Sequence, residues 1–99
     1  MSTCIPEKLK LMRESERLKM KEVADLAGIN YVTYVGYESG KSKLAYDACV
    51  KIFKLPRFRK YQSWFMYDEV DPEAGQIAPV LAHYGQNEIT SQFSDKKTG

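Results

Sequence analysis

A chain of 99 residues, 43% hydrophobic and 28% charged, has room for one domain with a modest core. It shows no apolar run of membrane-spanning length and no basic-then-apolar leader, which excludes a membrane-spanning helix and leads us to expect a soluble, cytoplasmic protein. Cys4 and Cys49 stand far apart without a CxxC pair or a neighbouring histidine, so they read as reduced thiols, Cys49 on the buried side of a helix, and no metal or other cofactor is implied.

The net charge of +2 hides a polarity. Through residue 60 there are 13 Lys and Arg against 7 Asp and Glu; from residue 61 onward there are 2 against 6. The basic share therefore belongs to the first sixty residues, as a phosphate-binding domain requires, although a lysine-rich surface is more often a solvated face.

In chain order, the first helix is expected from Ile5 to Arg17, with Pro6 tolerated in its first turn and Glu7 near the positive end of the helix dipole. Ile5, Leu9, Met12 and then Leu18 form its inner stripe. Arg13 lies beside that stripe and needs a partner; the spacing points to Glu38, at the end of the third helix, as the other half of a structural ion pair. The second helix, Met20 to Ala27, starts poorly. Lys19 holds the position where Ser, Thr, Asp or Asn would cap it, but Lys19 and Lys21 at a helix N-terminus would suit a phosphate.

Gly28 and Ile29 read as a tight turn and Asn30 as the cap of a third helix that stops at Gly40. Ala24 is small enough for two helix axes to approach, and Gly28 can take the positive φ that an abrupt change of direction needs. Val23, Ala27, Ile29, Tyr34 and Tyr37 fall on the inward faces. These offsets specify a helix-turn-helix, whose second helix enters the DNA major groove, rather than an ordinary packed pair.

A basic loop, Lys41-Ser42-Lys43, follows, then a fourth helix from Leu44 to Phe53 that ends before Pro56. A fifth, Arg57 to Tyr67, is crowded with aromatics, and one small domain can hardly bury them all. Phe58, Tyr61, Trp64 and Phe65 are therefore expected to contribute to a homodimer contact as well as to the core. Ile77, Val80 and Leu81, on an extended segment from Gln76 to Ala82, are expected to pack across that dimer. From Gln86 the chain is polar and expected to be disordered. The organisation is then a DNA-binding domain over residues 1–70, a dimerisation segment over 71–85 and a tail over 86–99.

The stretch LKLMRESERLKMKEVADLAGINYVTYVGYESGKSK resembles the DNA-binding domain of lambda-repressor-like (Xre-type) regulators, through its inward arginine, its alanine-to-glycine spacing and its Glu-x-Gly ending. The aromatic KYQSWFMYDEV, the following DPEAGQIAPVLAHYGQNE and the total length resemble the short C-type immunity repressors of peduovirus-type temperate phages. That resemblance implies an all-α, five-helix fold and a homodimeric repressor acting on double-stranded DNA at the host nucleoid. It also implies that lysogeny is held by blocking the early lytic promoter, with operators built from direct repeats, and it leaves room for an anti-repressor protein. Met20, where that broad family often uses a glutamine, and the lack of Gln or Arg at the reading positions are departures.

With Tyr34 and Tyr37 turned inward, the groove-facing residues are expected to be Asn30, Tyr31, Val32, Thr33, Val35 and Gly36. None supplies a guanidinium fork, so thymine methyls and groove shape are the expected readout. Gly36 costs about 1 kcal/mol relative to alanine inside a helix, and close approach to the bases is one reason to keep it. Lys19, Lys21, Ser39, Lys41 and Lys43 are the expected phosphate contacts, with Arg57 a weaker candidate. Two rivals remain: an antitoxin or controller protein of the same fold, and a protein-interaction module that does not bind DNA. An enzyme is poorly supported, since the one histidine, His83, has no Cys or Ser partner nearby.

Overall fold

The computed structural model describes residues 4–82. Within them the fold is all-α: α1 (Ile5–Ser15), α2 (Met20–Ala27), α3 (Tyr31–Ser39), α4 (Tyr46–Phe53), α5 (Pro56–Arg59) and α6 (Gln62–Tyr67), followed by a 3-10 turn at Pro72–Ala74. None of these helices is long and apolar enough to cross a membrane.

Two of the early helices end in the same way, and the endings set the chain's direction. At the end of α1, Arg17 takes φ 59°, its N–H donates to Glu14 and that of Leu18 reaches back to Arg13 at 3.1 Å. At the end of α2, Gly28 takes φ 72°, and the N–H of Ile29 reaches back to Ala24 at 2.9 Å. Both pairs of bonds satisfy carbonyls the helix would leave orphaned. The second uses glycine where left-handed backbone is free of strain; the first uses arginine, and α1 consequently stops two residues short of the expected Arg17.

Leu9, Met12, Val23, Ala24, Tyr34, Ile52 and Phe58 lie at the centre of one core, all but excluded from solvent. Ile5 was expected in the inner stripe of α1 but is half exposed. Lys8 stands inward in its place, 4% exposed. Its ammonium donates to the carbonyls of Trp64 at 3.2 Å and Phe65 at 3.0 Å, pairs with Asp68 at 2.7 Å, and lies 5.2 Å from the centroid of the Trp64 ring. A cation on the last carbonyls of α6 meets the negative end of that helix, which is how the cost of burying it is offset.

The fourth helix begins at Tyr46, since Ala45 is extended at ψ 150° and Leu44 belongs to the preceding loop. The expected single helix from Arg57 to Tyr67 is two, divided at Lys60 and Tyr61. Gln76 is the cause. Its side chain accepts from the N–H of Ser63 at 2.8 Å and donates to the carbonyl of Arg59 at 3.1 Å, while the N–H of Ile77 reaches the carbonyl of Lys60 at 2.9 Å. The broken ladder is thus repaired from another segment.

That break lets one small domain bury what a straight helix could not. Phe58, Tyr61, Trp64 and Phe65 are all 5% exposed or less, with Phe53 and Phe65 at 5.0 Å between centroids. These four are core residues and have no surface left for a second subunit, which corrects the expectation that they form a dimer contact. The segment after α6 is likewise not an extended arm. Asp71 and Gln76 close a short bridge around the 3-10 turn, Pro79 is fully buried, Val80 to Ala82 are helical, and the N–H of Leu81 donates to Ser15 Oγ at 3.2 Å. It folds back onto its own α1, although Ile77 and Val80 keep exposed surface. His83, Tyr84 and the tail expected to be disordered lie outside the described residues.

Glu16 secures the far end of α1. Its carboxylate accepts from Tyr61 OH and pairs with Lys60 at 2.9 Å. Burial alone would raise the Glu16 carboxyl, but the hydrogen bonds from Tyr61 and Lys60 outweigh it and hold the group below its ordinary value of 4.5. Burial, with Glu16 alongside, pushes the Tyr61 phenol above its usual range.

Two outcomes follow. Lys8→Ala should cost about 2–3 kcal/mol in urea unfolding, because two helix-end carbonyls lose a charged donor; a loss under about 1 kcal/mol would remove the clamp from the account. Because the folded Glu16 carboxyl is depressed, its contribution is complete above about pH 4.5 and is lost as pH falls through the lower folded value. Glu16→Gln should therefore be less stable than the native chain at neutral pH and lose less of its stability below pH ~4. Parallel acid limbs for the two proteins would contradict this.

Candidate nucleic-acid interface

The third helix presents its N-terminal half to solvent. Asn30 caps it, its Oδ1 accepting from the N–H of Thr33 at 3.2 Å, which leaves the amide NH2 free. Val32 is 75% exposed, Tyr31 42% exposed, and Thr33 is exposed beside them. Tyr34 and Tyr37 are buried. A phenol, a hydroxyl, an amide and a branched aliphatic thus stand on one outward surface.

The rest of the expected reading face recedes. Val35 and Gly36 are partly buried. A Cβ on Gly36 would lie 3.1 Å from Ser42 Oγ, and the Gly36 carbonyl accepts from both Ser42 N–H at 3.1 Å and Ser39 Oγ at 3.2 Å. Gly36 therefore gives room to the loop that leaves α3.

Cations ring the exposed half of α3 in the sequence. Lys19, Lys41 and Lys43 are exposed, and none has a carboxylate partner among the described residues. Lys21 pairs with Asp25 at 3.0 Å, both well exposed, a bond weak enough to exchange for a phosphate. The N-terminus of α2 is not bare: the Glu22 carboxylate accepts from the Lys19 N–H at 2.8 Å. Ser39 is exposed.

The back of α3 is held by charge. Arg13 Nε donates to Glu38 Oε2 at 2.7 Å and Nη2 to Oε1 at 3.1 Å, so guanidinium and carboxylate meet through two parallel bonds. Nη1 donates to the carbonyl of Leu18 at 2.9 Å, and Tyr34 OH adds a third bond to Glu38 at 2.7 Å. The two charged side chains are 13% and 6% exposed. The Glu38 hydrogen bond raises the Arg13 guanidinium above its already high value despite burial, and burial with Glu38 beside it pushes the Tyr34 phenol far above its usual range. Sequence reasoning found the pair but took Tyr34 as core only; the four-residue spacing of Tyr34 and Glu38 was the available signal.

A helix-turn-helix family model matches residues 9–57. Over 99 residues, all of both chains, the sequence is 52% identical to Repressor protein C of Escherichia phage P2. The chain belongs to the helix-turn-helix family of C-type phage immunity repressors. As a member it is a DNA-binding transcriptional repressor with the lambda-repressor-like all-α architecture, and its described helices number one more than the five expected because of the break at Lys60 and Tyr61.

For this repressor the clamp behind α3 is also a test of the site. Glu38→Gln keeps the shape but leaves Arg13 without its counter-charge, at a cost of about 3–5 kcal/mol. Denaturant unfolding should show that loss, together with weakened operator binding; a change under about 1 kcal/mol would mean that the pair is incidental.

Proposed function

We propose that the repressor acts as a homodimer that lays one α3 from each subunit into successive major grooves of its operator and keeps RNA polymerase from the early lytic promoter, so that the phage stays lysogenic. The observation that carries this is the exposed N-terminal half of α3. Asn30, Tyr31, Val32 and Thr33 are free on its surface while Tyr34 and Glu38 anchor its back. Val32 and the Thr33 methyl suit thymine methyl groups, and the Tyr31 and Thr33 hydroxyls and the Asn30 amide can hydrogen-bond to base edges. Lys19, Lys21, Lys41, Lys43 and Ser39 take the phosphates that fix its register.

Operators of direct repeats follow from the resemblance to peduovirus-type repressors, which leaves room for an anti-repressor protein that would release the block. The relative from Escherichia phage P2, a repressor by its printed name, supports the repressor reading over an antitoxin or a module that does not bind DNA. The dimer contact must use surface that the core leaves free, and Ile77 and Val80, expected to pack across it, keep such surface.

Footprinting on the DNA beside the repressor's own gene tests site, spacing and symmetry together. Affinity for the protected site should fall with salt at a log–log slope of about −0.9 per phosphate neutralised. Lys41→Gln should flatten that slope by about one unit without changing base preference, whereas Thr33→Ala should cost ~1 kcal/mol at one base position only. A salt-independent affinity, or protection that ignores sequence, would overturn the reading.

A further inference from the structure

Charge is segregated along residues 48–82 in a way the DNA site does not use. Between Asp47 and Asp68 there are five cations and no acid: Lys51, Lys54, Arg57, Arg59 and Lys60. From Asp68 to Glu73 there are four acids and no cation. Glu16 takes Lys60 and Lys8 takes Asp68, but Lys51, Lys54, Arg57, Arg59, Glu69, Asp71 and Glu73 have no ion-pair partner among the described residues. The two runs nevertheless adjoin, because Lys54 and Arg59 share the lining of one hollow with Ala74 and Gly75.

A second, open groove shares the same two cations. Tyr46, Val50 and Phe53 of α4 and Met66 of α6 line it together with Lys54 and Arg59. Tyr46 is 80% exposed. The strip leaving α6 carries the matching chemistry: Met66, Tyr67 and Val70 keep large exposed surfaces, Tyr67 being 70% exposed, and the acids Asp68, Glu69 and Asp71 are interleaved with them.

We propose that the groove between α4 and α6 receives the Met66–Asp71 strip of a second copy of this chain, with Lys54 and Arg59 of each copy facing the acids of the other. Groove and strip share Met66, so a two-fold axis passing beside that residue brings each strip onto the other copy's groove and makes the contact twice. A surface that complements itself in this way is what a closed two-fold dimer requires. Apolar side chains in the groove supply the buried area, while the facing charges fix register and reject other partners. This deepens the homodimer reading given above and replaces the aromatic contact that the core has absorbed.

The test is analytical ultracentrifugation of the full chain without DNA, with operator footprinting in parallel. The native chain should sediment as a dimer. Lys54→Glu with Arg59→Glu makes the two groove cations acidic, so that groove and strip of one protein repel, and Glu69→Lys with Asp71→Lys gives the strip two cations that repel an unchanged groove. Each doubly substituted protein alone should dimerise at least about tenfold more weakly. An equimolar mixture of the two should recover the dimer, because every contact then joins opposite signs.

Tyr67→Glu, at an exposed position that leaves the subunit fold intact, should also give monomers with a native circular dichroism spectrum, and it decides the matter if a doubly substituted protein fails to fold. A monomeric native chain overturns both this interface and the homodimer reading. A native dimer that persists through Tyr67→Glu or both charge reversals, or a mixture that fails to recover, overturns the interface alone. Operator protection by the native chain reports on DNA binding independently of either.

Discussion

The contact between Arg13 and Glu38 sets the position of everything that faces DNA. Helix α3 has only nine residues, a weak intrinsic helix former with three aromatics, two valines and a glycine, and a segment of that length has little helical stability by itself. It is held from behind by two parallel charged bonds, by the Tyr34 hydroxyl on the same carboxylate, and by burial of the Tyr34 and Tyr37 rings. Removing a charge from water is costly, and the geometry offsets that cost by giving Arg13 a third acceptor at Leu18. Because that acceptor is the turn between α1 and α2, the same guanidinium fixes the start of α2 and the end of α3.

Helix α1 is then a strut with three charged fastenings. Lys8 grips the end of α6, Arg13 grips the end of α3, and Glu16 grips Lys60 and Tyr61 at the division between α5 and α6. The recognition helix and the α5–α6 region are each tied by charge to α1. A charged fastening is more directional than an apolar one, which suits a DNA-binding protein whose helix must be held in one orientation to meet the duplex. The proposed contact between α4, α6 and their counterparts in a second copy would be carried to α3 through this strut.

The turn between α2 and α3 was legible in the sequence because its determinants are local. Ala24, Gly28 and Asn30 act within a few residues of themselves, and the structure uses each as its chemistry suggests: contact, left-handed backbone and cap. What was illegible depends on distant partners. Lys8 looks like a solvated lysine until the end of α6, more than fifty residues later, offers it two carbonyls and an aspartate. The division at Lys60 and Tyr61 needs Gln76 to complete the hydrogen bonds, and nothing near residue 60 announces it. Once the division is missed, four buried aromatics appear too many for one core and are assigned to a partner. The contact of Gly36 with Ser42 was equally illegible, since the side chain that needs its space belongs to a loop residue.

A reading surface of this composition constrains how the repressor can reach specificity. A bidentate contact discriminates between bases by about 1–3 kcal/mol, and Tyr31, Val32 and Thr33 have none to offer. On the proposed reading, one subunit alone discriminates weakly, with much of its affinity coming from lysine–phosphate attraction that every sequence provides equally. The proposed homodimer would change this: discrimination at each half-site adds, while the second docking becomes intramolecular and gains from effective concentration. The gain is lost unless both α3 helices meet the duplex in register, so the weaker the base chemistry, the more the protein depends on rigid placement. That is consistent with burying charge behind α3: Arg13, on α1, serves to hold still the helix that carries the proposed reading residues.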